Sequence, residues 1–131
     1  MNLPDFINEY LNELLRKFDS IQSIWLIGSR INGNARPDSD WDFLIFADKA
    51  VHDKLQLDGP IPQNDISIMV VIDNDRFGCP WPRKKDEAFE RGSLSGWKWS
   101  FISESQAKYE GCKILPDGRS RCRRENAIRV M

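Results

Sequence analysis

Gly28-Ser29-Arg30-Ile31-Asn32-Gly33-Asn34-Ala35-Arg36-Pro37-Asp38-Ser39-Asp40-Trp41-Asp42 is the stretch on which the reading of this chain turns. Asp40 and Asp42 lie two apart at the start of the apolar segment Trp41 to Phe46. In a strand, that spacing puts both carboxylates on one face and turns Trp41 to the other, into the core. Two adjacent carboxylates repel each other unless a cation sits between them. Hard divalent ions prefer such oxygen ligands. Gly28-Ser29 closes the isoleucine-rich segment Ile21 to Ile27, which reads as a short buried strand followed by a tight turn. A turn there offers backbone N–H groups and a hydroxyl to phosphate oxygens, and glycine lets the backbone come close. A phosphate cradle and a carboxylate pair at neighbouring strand ends suit metal-assisted phosphoryl chemistry. Taken alone, Asp-x-Asp is more often a turn, and so is Gly-Ser. It is the two together that favour a site.

Outward from this stretch, helices and strands interleave. Asp5 to Phe18 places Phe6, Ile7, Tyr10, Leu11, Leu14, Leu15 and Phe18 on one helical face. Arg30 to Ala35 reads as a short helix and Pro37-Asp38-Ser39 as a loop. Asp48 to Leu57 reads as a helix that Asp58-Gly59-Pro60-Ile61-Pro62 breaks. Asp65 to Ile72 is the most β-branched strand. Phe77 to Pro82 reads as a loop, Arg83 to Arg91 as a short polar helix, and Ser95 to Ser103 as a strand with Trp97, Trp99 and Phe101 on one face. Lys113 to Leu115 and Arg119 to Arg123 flank Pro116-Asp117-Gly118 as a hairpin, since Asp-Gly suits a primed turn. The expected fold class is α/β or α+β: a mixed central sheet flanked by helices, with a C-terminal β-hairpin extension.

The length of 131 residues fits one domain, 1–131, with a core that needs no disulfide staples. The longest apolar run, Ile66 to Ile72, is far too short to span a bilayer. The opening Met-Asn-Leu-Pro-Asp predicts no secretory leader. Cys79, Cys112 and Cys122 are odd in number and lack CxxC spacing, and His52 is the single histidine, which argues against structural zinc. Thiols in a reducing cytoplasm are the expectation. The net charge of −1 does not advertise nucleic-acid binding and does not exclude it. Arg119 to Met131, however, carries five arginines against Glu125. That run reads either as a patch facing phosphates or, more often, as a solvated edge strand or tail.

Gly-Ser, ten residues, then Asp-x-Asp resembles the signature of the DNA polymerase β-like nucleotidyltransferase superfamily. Arg36-Pro37-Asp38-Ser39-Asp40-Trp41-Asp42 is similar to that family's approach to its acidic pair. The likeness runs from Ile21 to Phe46, extends to Ile72, and is loose near Tyr109 to Leu115. Within the superfamily the chain looks most like the minimal nucleotidyltransferases, including antitoxins that partner HEPN-type toxins.

The resemblance implies one or two Mg²⁺ ions on Asp40 and Asp42. A third carboxylate on the next core strand would serve as ligand and general base, and Asp65 is the candidate. Gly28 and Ser29 would cradle the β- and γ-phosphates of an NTP, with ATP the expected donor, and Arg30 would assist. A hydroxyl would attack the α-phosphate and release pyrophosphate. Two rival readings stand beside this one. The first is a binding module or antitoxin subunit of the same fold, with its acceptor hydroxyl on a partner protein. The second, weaker, is an antibiotic-modifying enzyme, which needs an acidic pocket for a cationic drug. His52 is expected on an exposed helix face. The tryptophan stripe is expected in the core rather than as a base-stacking platform.

Overall fold

The computed structural model describes residues 2–33, 35–59, 61–62, 65–81 and 92–131. The helix expected over Arg83 to Arg91 lies outside the described residues. Among those residues, three helices and eight strands alternate in the first half and strands dominate the second. The fold is α+β. The sheet is mixed and runs β5-β4-β3-β2-β1-β8-β7-β6.

α1 (Asp5–Lys17) begins as its period predicts and buries Ile7, Leu11 and Leu14. β1 (Ser23–Ile27) leads through Gly28 into α2 (Ser29–Asn32). β2 (Trp41–Phe46) returns antiparallel to β1. α3 (Lys49–Leu57) is capped by Asp48, whose carboxylate accepts the Val51 N–H at 3.1 Å. It carries the chain over to β3 (Ile66–Ile72), which runs parallel to β2. A parallel neighbour needs such a crossover.

His52 is buried at 4% exposure, against expectation. It lies on the stripe of Val51 and Leu55, the face α3 turns inward, and its Nδ1 sits 2.9 Å from Asp53 Oδ1.

β4 (Arg76–Gly78) folds back on β3 and takes part of the expected loop from Phe77 to Pro82 into the sheet. Asp73 and Asn74 make this possible by adopting left-handed backbone, φ 46° and 61°. β5 (Gly92–Ser93) pairs with β4. The strand expected over Ser95 to Ser103 shrinks to β6 (Ser100–Phe101). The segment before it coils instead. The Leu94 carbonyl accepts from both Trp97 N and Trp99 N, at 3.1 and 3.0 Å, and the Asp75 carboxylate accepts from Ser95 N at 2.9 Å.

β7 (Gln106–Ile114) and β8 (Ser120–Arg129) form a long antiparallel hairpin. Its turn differs from the primed type. Gly118 alone is left-handed, at φ 86°, and Leu115 N donates to Arg119 O across a three-residue loop. β8 lies between β1 and β7 in the strand order, yet it pairs with β1 only at Ile128 and Arg129. From Ser120 to Arg124 its strand partner is β7 alone, and the basic run is exposed, as a solvated edge would be. The expectation of free thiols is also corrected. Register sets Cys112 opposite Cys122, with Cα atoms 4.1 Å apart, and the two are joined as a disulfide. Cys79 is free.

Two apolar clusters flank the sheet. On one face, α1 and α3 pack on Ile24, Leu26, Phe43, Ile45, Ile68 and Val70. On the other, Trp25, Ile27, Leu44, Phe46 and Val71 meet Phe77, Leu94, Tyr109 and the partly buried Trp97 and Trp99. Two covered faces explain why β1 and β2 read as unbroken apolar runs. The tryptophans belong to the core, whereas Phe101 is 60% exposed. No helix among the described residues is long and apolar enough to cross a membrane.

Candidate active site

The second face loses its aromatic cover at one end, and there β1, β2 and the hairpin enclose a cleft of about 390 Å³. Gly28, Ser29 and Asp42 form one wall, and Tyr109, Arg121 and Arg123 stand on the other.

Gly28 follows β1 at φ 80°, ψ −160°, which favours glycine. A Cβ at Gly28 would lie 2.5 Å from Asp42 Oδ2. The absent side chain is therefore the seat of the Asp42 carboxylate, which strand register brings opposite Ile27. The turn and the acidic pair are thereby joined in space as well as in sequence.

Asp42 is half-buried, while Asp40 is exposed. Burial, and then the charge of Asp40, pushes the Asp42 carboxyl up to about 6. That mutual repulsion, between two oxygen donors at an open cleft, is what a hard dication would relieve, so the pair fits Mg²⁺.

Asp65 precedes β3, and its carbonyl accepts the Trp41 N–H at 2.7 Å. Register places Asp65 beside Asp40 at the mouth of the β2–β3 pair, while Ser67 stands opposite Asp42. The carboxylate oxygens of Asp40, Asp42 and Asp65 do not all lie within 4.8 Å of one another. Among the described residues, the trio that close is Glu110, Cys112 and Cys122, and its two sulfurs are bonded to each other. A disulfide sulfur is no thiolate ligand, so that trio offers no metal site.

Ser29 lines the cleft, and its hydroxyl has no protein partner among the described residues. Its amide belongs to the first turn of α2, where helices leave N–H groups without an intrahelical acceptor. The Gly28 N–H is already engaged: it donates to the Tyr109 hydroxyl at 3.1 Å. Tyr109 stacks on Trp97 and Trp99 at 5.3 and 6.0 Å, and burial foremost raises its hydroxyl above the ordinary phenol range.

Arg30, expected toward phosphate, points elsewhere. Its guanidinium donates to the carbonyls of Ser39, at 2.7 Å, and Pro37, at 3.2 Å, and lies 4.7 Å over the Trp41 ring. It clamps the loop that delivers Asp40. Asn32 ties α2 to β8, accepting from Asn126 N at 2.7 Å and donating to Asn126 O at 3.2 Å.

Tyr109, Arg121 and Arg123 were not among the expected site residues. The signal for the arginines was present in their period-two spacing on a strand. Nothing local revealed that this strand returns beside β1.

The sequence profile of the family described as Polymerase beta, Nucleotidyltransferase matches residues 9–75, just over half of the chain. The match takes in Gly28, Ser29, Asp40, Asp42 and Asp65 and stops before the hairpin. No curated protein and no solved structure matches.

Proposed function

We propose that this chain, which belongs to the polymerase beta nucleotidyltransferase family, transfers a nucleoside monophosphate from an NTP, with ATP the expected donor, to a hydroxyl acceptor. The observation that carries the reading is the seating of Asp42 against Gly28, with Asp40 two residues before it. Residues 1–131 act in it as one nucleotidyltransferase domain. Asp40 and Asp42 would hold Mg²⁺. When bound, the ion neutralises charge developing on the transferred phosphoryl group.

The chain's own groups supply the rest. The Ser29 hydroxyl and first-turn amides of α2 bind the β- and γ-phosphates. Gly28 contributes shape rather than its N–H, which Tyr109 holds. Arg30 positions the Asp40 loop through Ser39 and Pro37. Asp65, beside Asp40 at the mouth of the β2–β3 pair, would be the third ligand and base.

Phe101 in edge strand β6 and Ile102 just after it, 60% and 56% exposed, favour a second reading within the same family. In it, the acceptor hydroxyl belongs to a partner protein such as a HEPN-type toxin, as for the antitoxin-type minimal nucleotidyltransferases. A cationic antibiotic calls for an acidic pocket, and here Arg121 and Arg123 offset the cleft's two acids, Asp42 and Glu125.

Transfer of label from α-labelled ATP with Mg²⁺ tests the activity. Wild type labels an acceptor, and Asp40→Asn and Asp42→Asn lower the rate at least 100-fold, about 3 kcal/mol of transition-state stabilisation. If the wild type binds neither Mg²⁺ nor NTP in a titration, the reading fails.

A further inference from the structure

We infer that Arg121 and Arg123 form a second phosphate-binding subsite, on the hairpin wall of the cleft, apart from the Gly28–Ser29 turn. The identity of the phosphate's bearer rests on the nucleotidyltransferase reading; the subsite itself does not.

The two residues stand two apart on β8, so both side chains leave the same face, and both line the cleft opposite Ser29. Register puts Gly111 opposite Arg123. The place a side chain at Gly111 would take is held by Glu125, whose Cγ would lie 3.0 Å from a Cβ there, so the acid lies along the strand pair rather than across the cleft mouth from Arg123.

The arginines differ in what they do. Arg16, Arg30, Arg76, Arg119, Arg124 and Arg129 each donate to a carboxylate or a carbonyl. Among the described residues the guanidinium groups of Arg121 and Arg123, like that of the exposed Arg36, make no hydrogen bond or ion pair, although Glu125 lines the same wall two residues on. Two unspent guanidinium forks converging on one concave surface match the oxygens of phosphate in geometry and charge. Glu125 and Asp42 set the limit of the site, since they repel an anion that reaches past the arginines.

The phosphate has two possible bearers, the tail of the donor NTP or a phosphorylated acceptor, and one experiment separates them. Inorganic pyrophosphate is titrated calorimetrically into the protein in the presence of chelator. Wild type binds, and Arg121→Gln/Arg123→Gln binds at least tenfold more weakly with an unchanged melting temperature. Asp42→Asn keeps or improves the affinity, so a failed metal site does not mimic a failed subsite. The titration is then repeated with Mg²⁺ and a saturating non-hydrolysable ATP analogue. Loss of pyrophosphate binding assigns the subsite to the donor's tail, and retention assigns it to a phosphorylated acceptor. Pyrophosphate affinity equal in wild type and double variant, within twofold, overturns the inference.

Discussion

Gly28 is glycine for two reasons that meet at one atom. Its φ of 80° disfavours a side chain, and the space a Cβ would fill is held by Asp42 Oδ2. Asp42 in turn bears the electrostatic cost of the site. Its carboxyl titrates at about 6 in the fold against the ordinary 3.8, because burial and Asp40 both disfavour its charge. The linkage has a definite sign. Below 3.8 the group is protonated in folded and unfolded chains alike, and no cost arises. Between 3.8 and 6 the unfolded chain ionises first, and above 6 the metal-free fold carries the full penalty. Asp42→Asn should therefore raise the melting temperature in chelator at pH 7.5 and leave it nearly unchanged at pH 4, by calorimetry. An equal shift at both pH values would contradict this assignment. The acidic pair was legible from sequence because period two is a local rule. The role of Arg30 was not, since its partners Pro37 and Ser39 lie across a turn whose path no local pattern specifies.

At the scale of elements, the hairpin decides most. β7 and β8 carry Tyr109, Arg121 and Arg123, and their register brings Cys112 to Cys122. The crosslink closes a loop of sequence separation 10. Constraining an unfolded loop of that size stabilises by about 2–3 kcal/mol. Reduction, or Cys112→Ser with Cys122→Ser, should lower the urea midpoint accordingly, without abolishing the hairpin's circular dichroism. A midpoint unmoved by reductant would show that the bridge adds nothing in solution. The hairpin was readable from Pro116-Asp117-Gly118 flanked by strand-like segments. Its full reach was hidden, because β8 is mostly polar until Ala127 and Ile128 pack against the core. The segment around Trp97 and Trp99 misled for a related reason. Alternating aromatics satisfy a strand's period, yet hydrogen bonds to Leu94 and Asp75 coil that backbone.

At the scale of the molecule, the family match ends at residue 75, but the sheet does not. β1 is hydrogen-bonded to β2 on one side and to β8 on the other, with Leu26 opposite Ile128. Removing everything after Asp75 would leave β1 as a bare edge and uncover Trp25, Ile27, Leu44 and Phe46. A chain of residues 1–75 should accordingly fail to form a monomeric fold, seen as aggregation by size exclusion and a loss of near-ultraviolet dichroism. A monomeric, cooperatively melting 1–75 fragment would contradict this view of β8 as part of the core. The same strand closes the cleft, so stability and site share one element.

Sequence by itself determined the helix–strand order through Ile72, the amphipathic face of α1 and the Gly-Ser and Asp-x-Asp elements, because each rests on spacing within a few residues. Tertiary structure decided that Asp42 sits on Gly28, that Asp65 lies beside Asp40 while Ser67 faces Asp42, and that Tyr109 and two arginines complete the cleft. Those facts depend on strand register between segments far apart in the chain. Register is set by how two apolar faces bury at once, which no local pattern contains.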